Sequence, residues 1–147
     1  LFRKPMVIME LPFGGMYTHN EKFLLMTKHH ILKKEKRRLS LSEIFSYGVA
    51  YAFETKTFEQ KGVELVENTP EEIKDIVIEM VENLEFKRKL NPEDEKLQKT
   101  FRNLYAVNIK RHDYQKESKN LKGSIIHGQI RSRFGTKFLK DNRSWLK

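Results

Sequence analysis

The chain has 147 residues, 38% of them hydrophobic, which is enough for one domain with its own core. It contains no cysteine, which excludes disulfides and thiolate metal ligands, and no apolar run approaches the roughly 20 residues of a membrane span. Its net charge of +9 is unevenly distributed: nine Lys/Arg stand against three acids in residues 1–40, nine against fourteen in 41–109 and eleven against three in 110–147. Two basic ends around an acidic middle predict an anionic partner or else a set of solvated lysines.

A buried strand is predicted near the start of the chain, at Met6–Glu10. A continuous apolar run between two prolines is typical of a strand with both faces covered. The loop Glu10–Gly15 follows at its carboxyl end, where open α/β sheets bind ligands; the backbone of Gly14 and Gly15 can approach an anion there or form an ordinary turn. Since the chain starts at Leu1 without a methionine or a signal-peptide pattern, we expect it to be a piece of a longer protein.

The next segment is predicted to combine extended or helical chain with a basic run. Glu21–Leu32 is apolar without a clean period, so it is predicted to be helical or partly extended. His29 and His30 have no neighbours that complete a metal site and are predicted to be surface or packing residues. The run Lys33–Arg38 indicates a solvated loop or a contact with an anionic surface.

Two short helices are predicted between residues 40 and 62. Ser40 and Glu43 have the spacing of a capping box, in which each side chain bonds the backbone amide of the other residue. Thr55–Lys61 is predicted to be a second helix. Gly62 ends it, because a residue without Cβ suits the left-handed turn after a helix.

The pattern at residues 62–84 predicts a strand followed at once by a helix. Val63–Val66 has the β-branched residues of a strand, and the TPEE sequence that follows Asn68 is a helix start. The helix Pro70–Leu84 carries a single apolar stripe. The stripe consists of Ile73, Ile76, Val77, Met80, Val81 and Leu84. We expect Val63–Val66 to pair in parallel with Met6–Glu10 and the helix to pack on that sheet.

A buried stripe also predicts the effect of substitutions in it. An aspartate at Ile76 or at Val77 would place an unpaired carboxylate in the core, at a cost of several kcal/mol. Because native domains are stable by only about 5–15 kcal/mol, either substitution is expected to unfold the chain.

The C-terminal part is predicted to contain a helix, a loop and a docked tail. Asn91 and Pro92 are a second strong helix start, and acids occupy its first turn. The buried face of this helix is predicted to be Leu97, Phe101, Leu104 and Tyr105. Residues 106–124 are polar, basic and aperiodic, which predicts a loop. Residues 125–147 have helically spaced apolar side chains, which predicts a helical tail anchored by Trp145.

Three basic residues of the tail stand apart from its apolar positions. His127, Arg131 and Arg133 lie within seven residues, and arginines can bind phosphate oxygens through two parallel hydrogen bonds. These residues are predicted to form a phosphate site or else to be surface charge.

Four segments together resemble the C-terminal part of a family of bacterial glycosyltransferases associated with surface-polysaccharide loci. The segments are KPMVIMELPFGG at 4–15, LSLSEIFSYG at 39–48, FEQKGVELVENTPEEIKDIVIEM at 58–80 and HGQIRSRFGTKFLKDNRSWL at 127–146. The similarity covers nearly the whole chain and is poorest at 106–122. That family resembles the GT-B fold, in which two Rossmann-like lobes face a cleft, the C-terminal lobe holds the nucleotide-sugar donor and a metal is generally not required.

The resemblance implies an α/β fold, a partial Rossmann-like lobe of GT-B type with short parallel strands and a helix-rich C-terminal half. Residues 1–105 would be the lobe on the nucleotide-sugar side, 106–124 a loop and 125–147 a tail that packs back on the lobe. The implied function is donor binding in a glycosyltransferase, with a nucleotide-diphosphate sugar as substrate, no cofactor and the missing N-terminal lobe as partner. The implied location is the cytoplasm or the inner face of the membrane.

The candidate substrate-binding residues are Glu10, Gly14, Gly15, His127, Arg131 and Arg133. Glu10 is the only acid near the first strand and would bind ribose hydroxyls, or else form an ordinary salt bridge or loop cap. Loop amides and arginines would stabilise the departing diphosphate. No catalytic residue is assigned.

Two other classes of function fit parts of the sequence. One is a non-enzymatic basic module that binds an anionic membrane or nucleic acid. Its aromatic residues lie mostly in apolar stripes, which disfavours base stacking, so nucleic acid is not the expected partner. The other is a sugar-nucleotide epimerase or hydrolase, which the fold alone does not separate from a transferase.

Overall fold

A computed structural model describes residues 5–9, 22–52, 54–86, 89–115 and 132–147, leaving aside the side chains of 84–86 and 109–115. The strands in these ranges are β1 (Met6–Ile8), β2 (Phe23–Leu25), β3 (His29–Leu32), β4 (Arg37–Arg38), β5 (Val63–Val66) and β6 (Arg133–Phe134). The helices are α1 (Leu41–Ser46), α2 (Thr55–Gln60), α3 (Pro70–Phe86), α4 (Pro92–Gln115) and α5 (Thr136–Asp141), followed by a 3-10 turn at Arg143–Trp145.

The strands form two three-stranded sheets, so the fold is mixed α/β. In the first sheet β1, β2 and β6 are parallel, with β2 in the middle. In the second sheet β4 and β5 flank β3, and both run antiparallel to it. Because only residues 26–28 separate β2 from β3, one extended stretch of chain joins the two sheets.

The predicted parallel pairing of Met6–Glu10 with Val63–Val66 is wrong. The first strand, shorter than predicted, pairs with Phe23–Leu25, whereas β5 pairs antiparallel with His29–Leu32 in the other sheet. Only Val63 of β5 is buried, so this strand is an edge strand and lacks the covered faces that parallel strands require. A short apolar run shows that a strand forms but does not specify its partner, because pairing depends on residues far away in sequence.

Helix α3 forms as predicted, but three of the five described residues of its apolar stripe are not buried. It extends to Phe86, and Thr69 and Glu72 form the capping box at its start, with hydrogen bonds of 3.1 and 2.9 Å. Ile76 and Met80 are buried, whereas three stripe residues are between 38% and 47% exposed. These exposed residues are Ile73, Val77 and Val81.

The reason is that α3 turns a partly polar sector toward the interior. Glu72 and Glu79 lie on the inner side together with Ile76, and each carboxylate accepts hydrogen bonds from another element. The orientation of α3 therefore satisfies polar groups as well as burying apolar ones. The predicted unfolding by an aspartate at Val77 does not follow from this geometry, because that side chain is 47% exposed.

The other helix starts and ends agree with the sequence. Ser40 and Glu43 form the predicted capping box of α1. Gly62 follows α2 with φ of +65°, and the side chain of Asn91 accepts a 2.8 Å hydrogen bond from the amide of Asp94 at the start of α4. These signals are local, so they need no knowledge of the tertiary fold.

The loop predicted at residues 106–124 begins later than expected, since α4 continues to Gln115. Polar composition alone does not end a helix. The buried face of α4 continues past the apolar positions to Asn108, whose side chain donates a 3.2 Å hydrogen bond to Ser42 on α1. Residues 116–131, with the first part of the predicted tail, lie outside the described residues.

An aromatic cluster joins the tail to the rest of the core. Trp145 is 2% exposed and packs against Phe134, Phe138 and Phe101, with ring centroids 4.9 to 6.3 Å apart. The prediction that Trp145 anchors the tail is therefore confirmed. The described tail is less helical than predicted, because a strand residue, Phe134, contributes one of these rings.

Candidate functional site

Most of the predicted substrate-binding residues lie outside the described residues. These are Glu10, Gly14, Gly15, His127 and Arg131. The predictions made for them therefore stay predictions. Arg133 is described, and it is the first residue of β6.

Arg133 lies on the parallel sheet, opposite Leu24 of the central strand. Successive strand residues point to opposite faces, so its side chain lies on the face away from buried Phe134. Arg133 is half-buried, and its guanidinium has no ion-pair partner among the described residues. As far as the described residues show, the Arg133 guanidinium is therefore available to bind an anionic ligand.

The carboxyl edge of the parallel sheet brings three connections together. The end of β1 leads to Met9, the end of β2 leads to Lys28, and the end of β6 leads to Gly135 and Thr136. Parallel strands align their carboxyl ends, and ligands of open α/β sheets bind at this edge. The Lys28 ammonium contacts Glu67 at 2.7 Å, so its charge is partly compensated.

The connection after β6 is held by a carboxylate of α3. Glu79 accepts hydrogen bonds from the backbone amide of Thr136 at 2.7 Å and from its hydroxyl at 2.6 Å. Ile76 packs over Gly135 so closely that a Cβ at this glycine would lie 3.3 Å from the Ile76 side chain. The Glu79 carboxylate thus accepts from the backbone amide at the start of α5 and occupies the position that an anionic ligand of this amide would take.

A buried imidazole–carboxylate pair ties α3 to β3. His29 is 6% exposed, and its Nε2 lies 2.9 Å from Glu72 while its ring stacks on Phe138 at 5.7 Å. Burial opposes ionisation of Glu72, but the amide of Thr69 and the imidazole of His29 outweigh it, so the pKa of Glu72 lies below its usual value. Beside it, the Asn68 side chain donates a 3.0 Å hydrogen bond to the Thr27 carbonyl.

The segment that starts α3 therefore has a structural role in the described fold. Its polar side chains satisfy the helix amides, bond His29 and hold the link between the two sheets. His29 and His30 are buried packing residues, as one of the two sequence interpretations predicted. No group of three or more metal-ligating side chains occurs among the residues that the structure describes.

A cavity of about 300 Å³ lies between α3, the start of α4 and α5. Its lining residues are Asp75, Ile78, Glu79, Glu82, Asn83, Leu90, Asp94, Thr136, Lys137, Lys140 and Asp141. Asp94 is 3% exposed and forms an ion pair with Lys140 at 2.7 Å. Five carboxylates stand against two ammonium groups, so the cavity favours cations or hydroxyl groups and disfavours a diphosphate.

Sequence reasoning missed two polar residues that position the tail. Glu79 holds Thr136, and Gln98 bonds both backbone groups of Phe134, donating to its carbonyl at 2.7 Å and accepting from its amide at 3.0 Å. Gln98 lies three residues before Phe101 and seven before Tyr105, which places it on the same buried face of α4. A buried polar residue on an apolar helix face is the only sequence signal, and it does not reveal the partner.

Among the described residues, no helix combines the length and the apolar character that a bilayer crossing requires. Comparisons of the chain with models of protein families, with curated proteins and with solved structures found no match.

Proposed function

We propose that the chain is part of the nucleotide-sugar-binding lobe of a bacterial surface-polysaccharide glycosyltransferase of GT-B type. Its substrate would be a nucleotide-diphosphate sugar, and the rest of the enzyme would supply the acceptor side of the cleft. The observation that carries this function is the parallel sheet β1–β2–β6 with Arg133 on its last strand, an arginine that no acid pairs with among the described residues.

The parallel sheet supports donor binding because the carboxyl ends of β1, β2 and β6 lie at one edge of it, where open α/β sheets bind ligands. A diphosphate needs cationic side chains or backbone amides, and Arg133 offers a guanidinium that no described acid neutralises. The acidic cavity beside α5 does not suit a diphosphate, so the donor would bind at the sheet and not in that cavity. The antiparallel second sheet departs from a Rossmann-like lobe, and donor binding is assigned to the first sheet only.

Titration calorimetry with uridine, guanosine and cytidine diphosphates tests this function. We expect weak binding of at least one of them, unchanged by a chelator, since the resemblance implies a site without metal. Lysine keeps the charge but not the planar fork of arginine, so Arg133→Lys should lower the affinity by roughly ten- to a hundredfold, the loss of one charged hydrogen bond.

The matched control is Arg102→Lys, a half-buried arginine on helix α4 and not on a strand, which should leave the affinity unchanged. Absence of binding for all three diphosphates, or equal affinity in the Arg133 and Arg102 variants, would contradict the proposed site. Sugar transfer by the complete enzyme then separates a transferase from an epimerase or hydrolase that binds the same donor.

A further inference from the structure

The turn between β3 and β4 carries several lysines that pair with no acid in the part of the chain that the structure describes. Lys33, Lys34 and Lys36 are exposed, and none of their ammonium groups has an ion-pair partner among the described residues. Lys61 lies beside them, because the amide of Lys33 donates a 3.0 Å hydrogen bond to the carbonyl of Gly62. Four cationic side chains thus meet at one end of the antiparallel sheet, and we call this group the lysine tip.

Two acids near the lysine tip, Glu35 and Glu43, are engaged by an arginine. Glu35 and Glu43 both bond Arg37, whose single positive charge offsets one of the two carboxylate charges. On the neighbouring strand, Glu64 lies opposite Ile31, two residue pairs away from the turn. The four lysines and Arg37 carry five positive charges against the two carboxylates, so three positive charges remain in excess at this end of the sheet.

The backbone of the turn is well defined, which fixes where these charges lie. Lys36 has φ of +50°, a left-handed conformation that a side chain with a Cβ adopts only when the turn requires it. Pairing of β3 with both neighbours then holds the turn at the end of the sheet. The lysines accordingly lie on an exposed turn at the end of the sheet.

We propose that the lysine tip binds the surface of an anionic lipid bilayer. Exposed ammonium groups at one end of a sheet can approach the same negative surface, and each lysine near such a surface contributes about fivefold in affinity. The guanidinium of Arg37 is engaged by its two carboxylates, that of Arg38 bonds Asn142 and lies over Phe138, and the turn residues 33–36 include no aromatic ring for stacking on bases. These features favour a lipid surface over nucleic acid. This inference is independent of donor binding.

Sedimentation of the chain with vesicles of phosphatidylcholine, with and without phosphatidylserine, tests the lysine tip. The chain should bind only the vesicles that contain phosphatidylserine, and binding should fall steeply as salt rises from about 0.1 to 1 M. The triple variant Lys33→Gln, Lys34→Gln, Lys36→Asn should bind roughly a hundredfold more weakly. Asparagine is chosen at 36 because it tolerates the left-handed conformation.

The matched control removes three exposed lysines elsewhere, at Lys74, Lys96 and Lys99, and leaves the net charge equal to that of the test variant. The control should lose little affinity for the vesicles, and circular dichroism should show that both variants are folded. Equal loss in the two variants would mean that only the net charge matters and would overturn the inference, as would no binding by the parent chain. The second arm measures binding of the parent and the triple variant to a DNA oligonucleotide. If the triple variant loses more affinity for the oligonucleotide than for the vesicles, the tip binds nucleic acid and the inference is overturned.

Discussion

At the scale of single residues, buried titratable groups determine how the fold responds to acid. His30 is 4% exposed, its Nδ1 donates a 3.1 Å hydrogen bond to the Lys28 carbonyl, and its ring packs against Phe58. Burial, with a smaller contribution from neighbouring His29, lowers the pKa of His30 to about 4. The imidazole is therefore neutral in the folded chain at neutral pH.

His30 should make the chain less stable in mild acid. The unfolded chain binds a proton at this histidine near pH 6.5 and the folded chain only near pH 4, so between these values the unfolded state binds more protons. The contribution of His30 to the free energy of unfolding is fully present above the pKa of the unfolded state. It falls as the pH falls, by about 2 kcal/mol between pH 7 and 5. Urea unfolding at both pH values measures this difference. His30→Phe keeps the ring contact and should reduce the loss by that amount, whereas an unchanged loss would contradict the lowered pKa.

At the scale of elements, α3 separates the two substitutions that the sequence treated as equivalent. Ile76 is 2% exposed and packs over Gly135, whereas Val77 is 47% exposed. Ile76→Asp should cost several kcal/mol, because it buries an unpaired carboxylate, and Val77→Asp should change the free energy of unfolding by less than about 0.5 kcal/mol. Each variant is the control for the other in urea unfolding. A large destabilisation by Val77→Asp would show that another part of the protein covers this face of α3.

Helix starts and ends were predictable where the sequence signal is local. The capping boxes at Ser40 and Thr69, the glycine after α2 and the start of α4 at Asn91 follow from spacing along the chain, and all are present. The partner of β5 was not predictable, because its alternatives differ only in contacts with distant strands. The orientation of α3 was missed for a related reason. Glu79 faces inward because the amide and hydroxyl of Thr136, which is distant in sequence, donate hydrogen bonds to its carboxylate.

The candidate site was predictable only as a region. Residue types and their resemblance to a family point to Glu10–Gly15 and His127–Arg133, and of these the structure describes Arg133 alone. Its position on a parallel strand could not be read from the sequence, where the tail looked helical. The acidic cavity was not anticipated either, because its carboxylates come from α3, α4 and α5, which are far apart in sequence.

At the scale of the whole molecule, two helices hold the C-terminal segment on the core. Glu79 of α3 bonds Thr136, and Gln98 of α4 bonds both backbone groups of Phe134, so the short strand β6 is fixed from two directions. The aromatic cluster around Trp145 then packs on this strand. The docking of the tail and the formation of the parallel sheet are therefore expected to be coupled.

The variant Gln98→Leu tests this coupling. It leaves the buried amide and carbonyl of Phe134 without partners, which should cost about 2–4 kcal/mol in the free energy of unfolding. Trp145 is the only tryptophan of the chain, so its fluorescence reports on the docking of the tail while circular dichroism reports on the helices. In the parent the two signals should change together with urea, and in the variant the fluorescence should change first. Gln60→Leu at the exposed end of α2 is the matched control and should behave as the parent. A Gln98 variant with the stability of the parent would show that the aromatic cluster alone holds the tail.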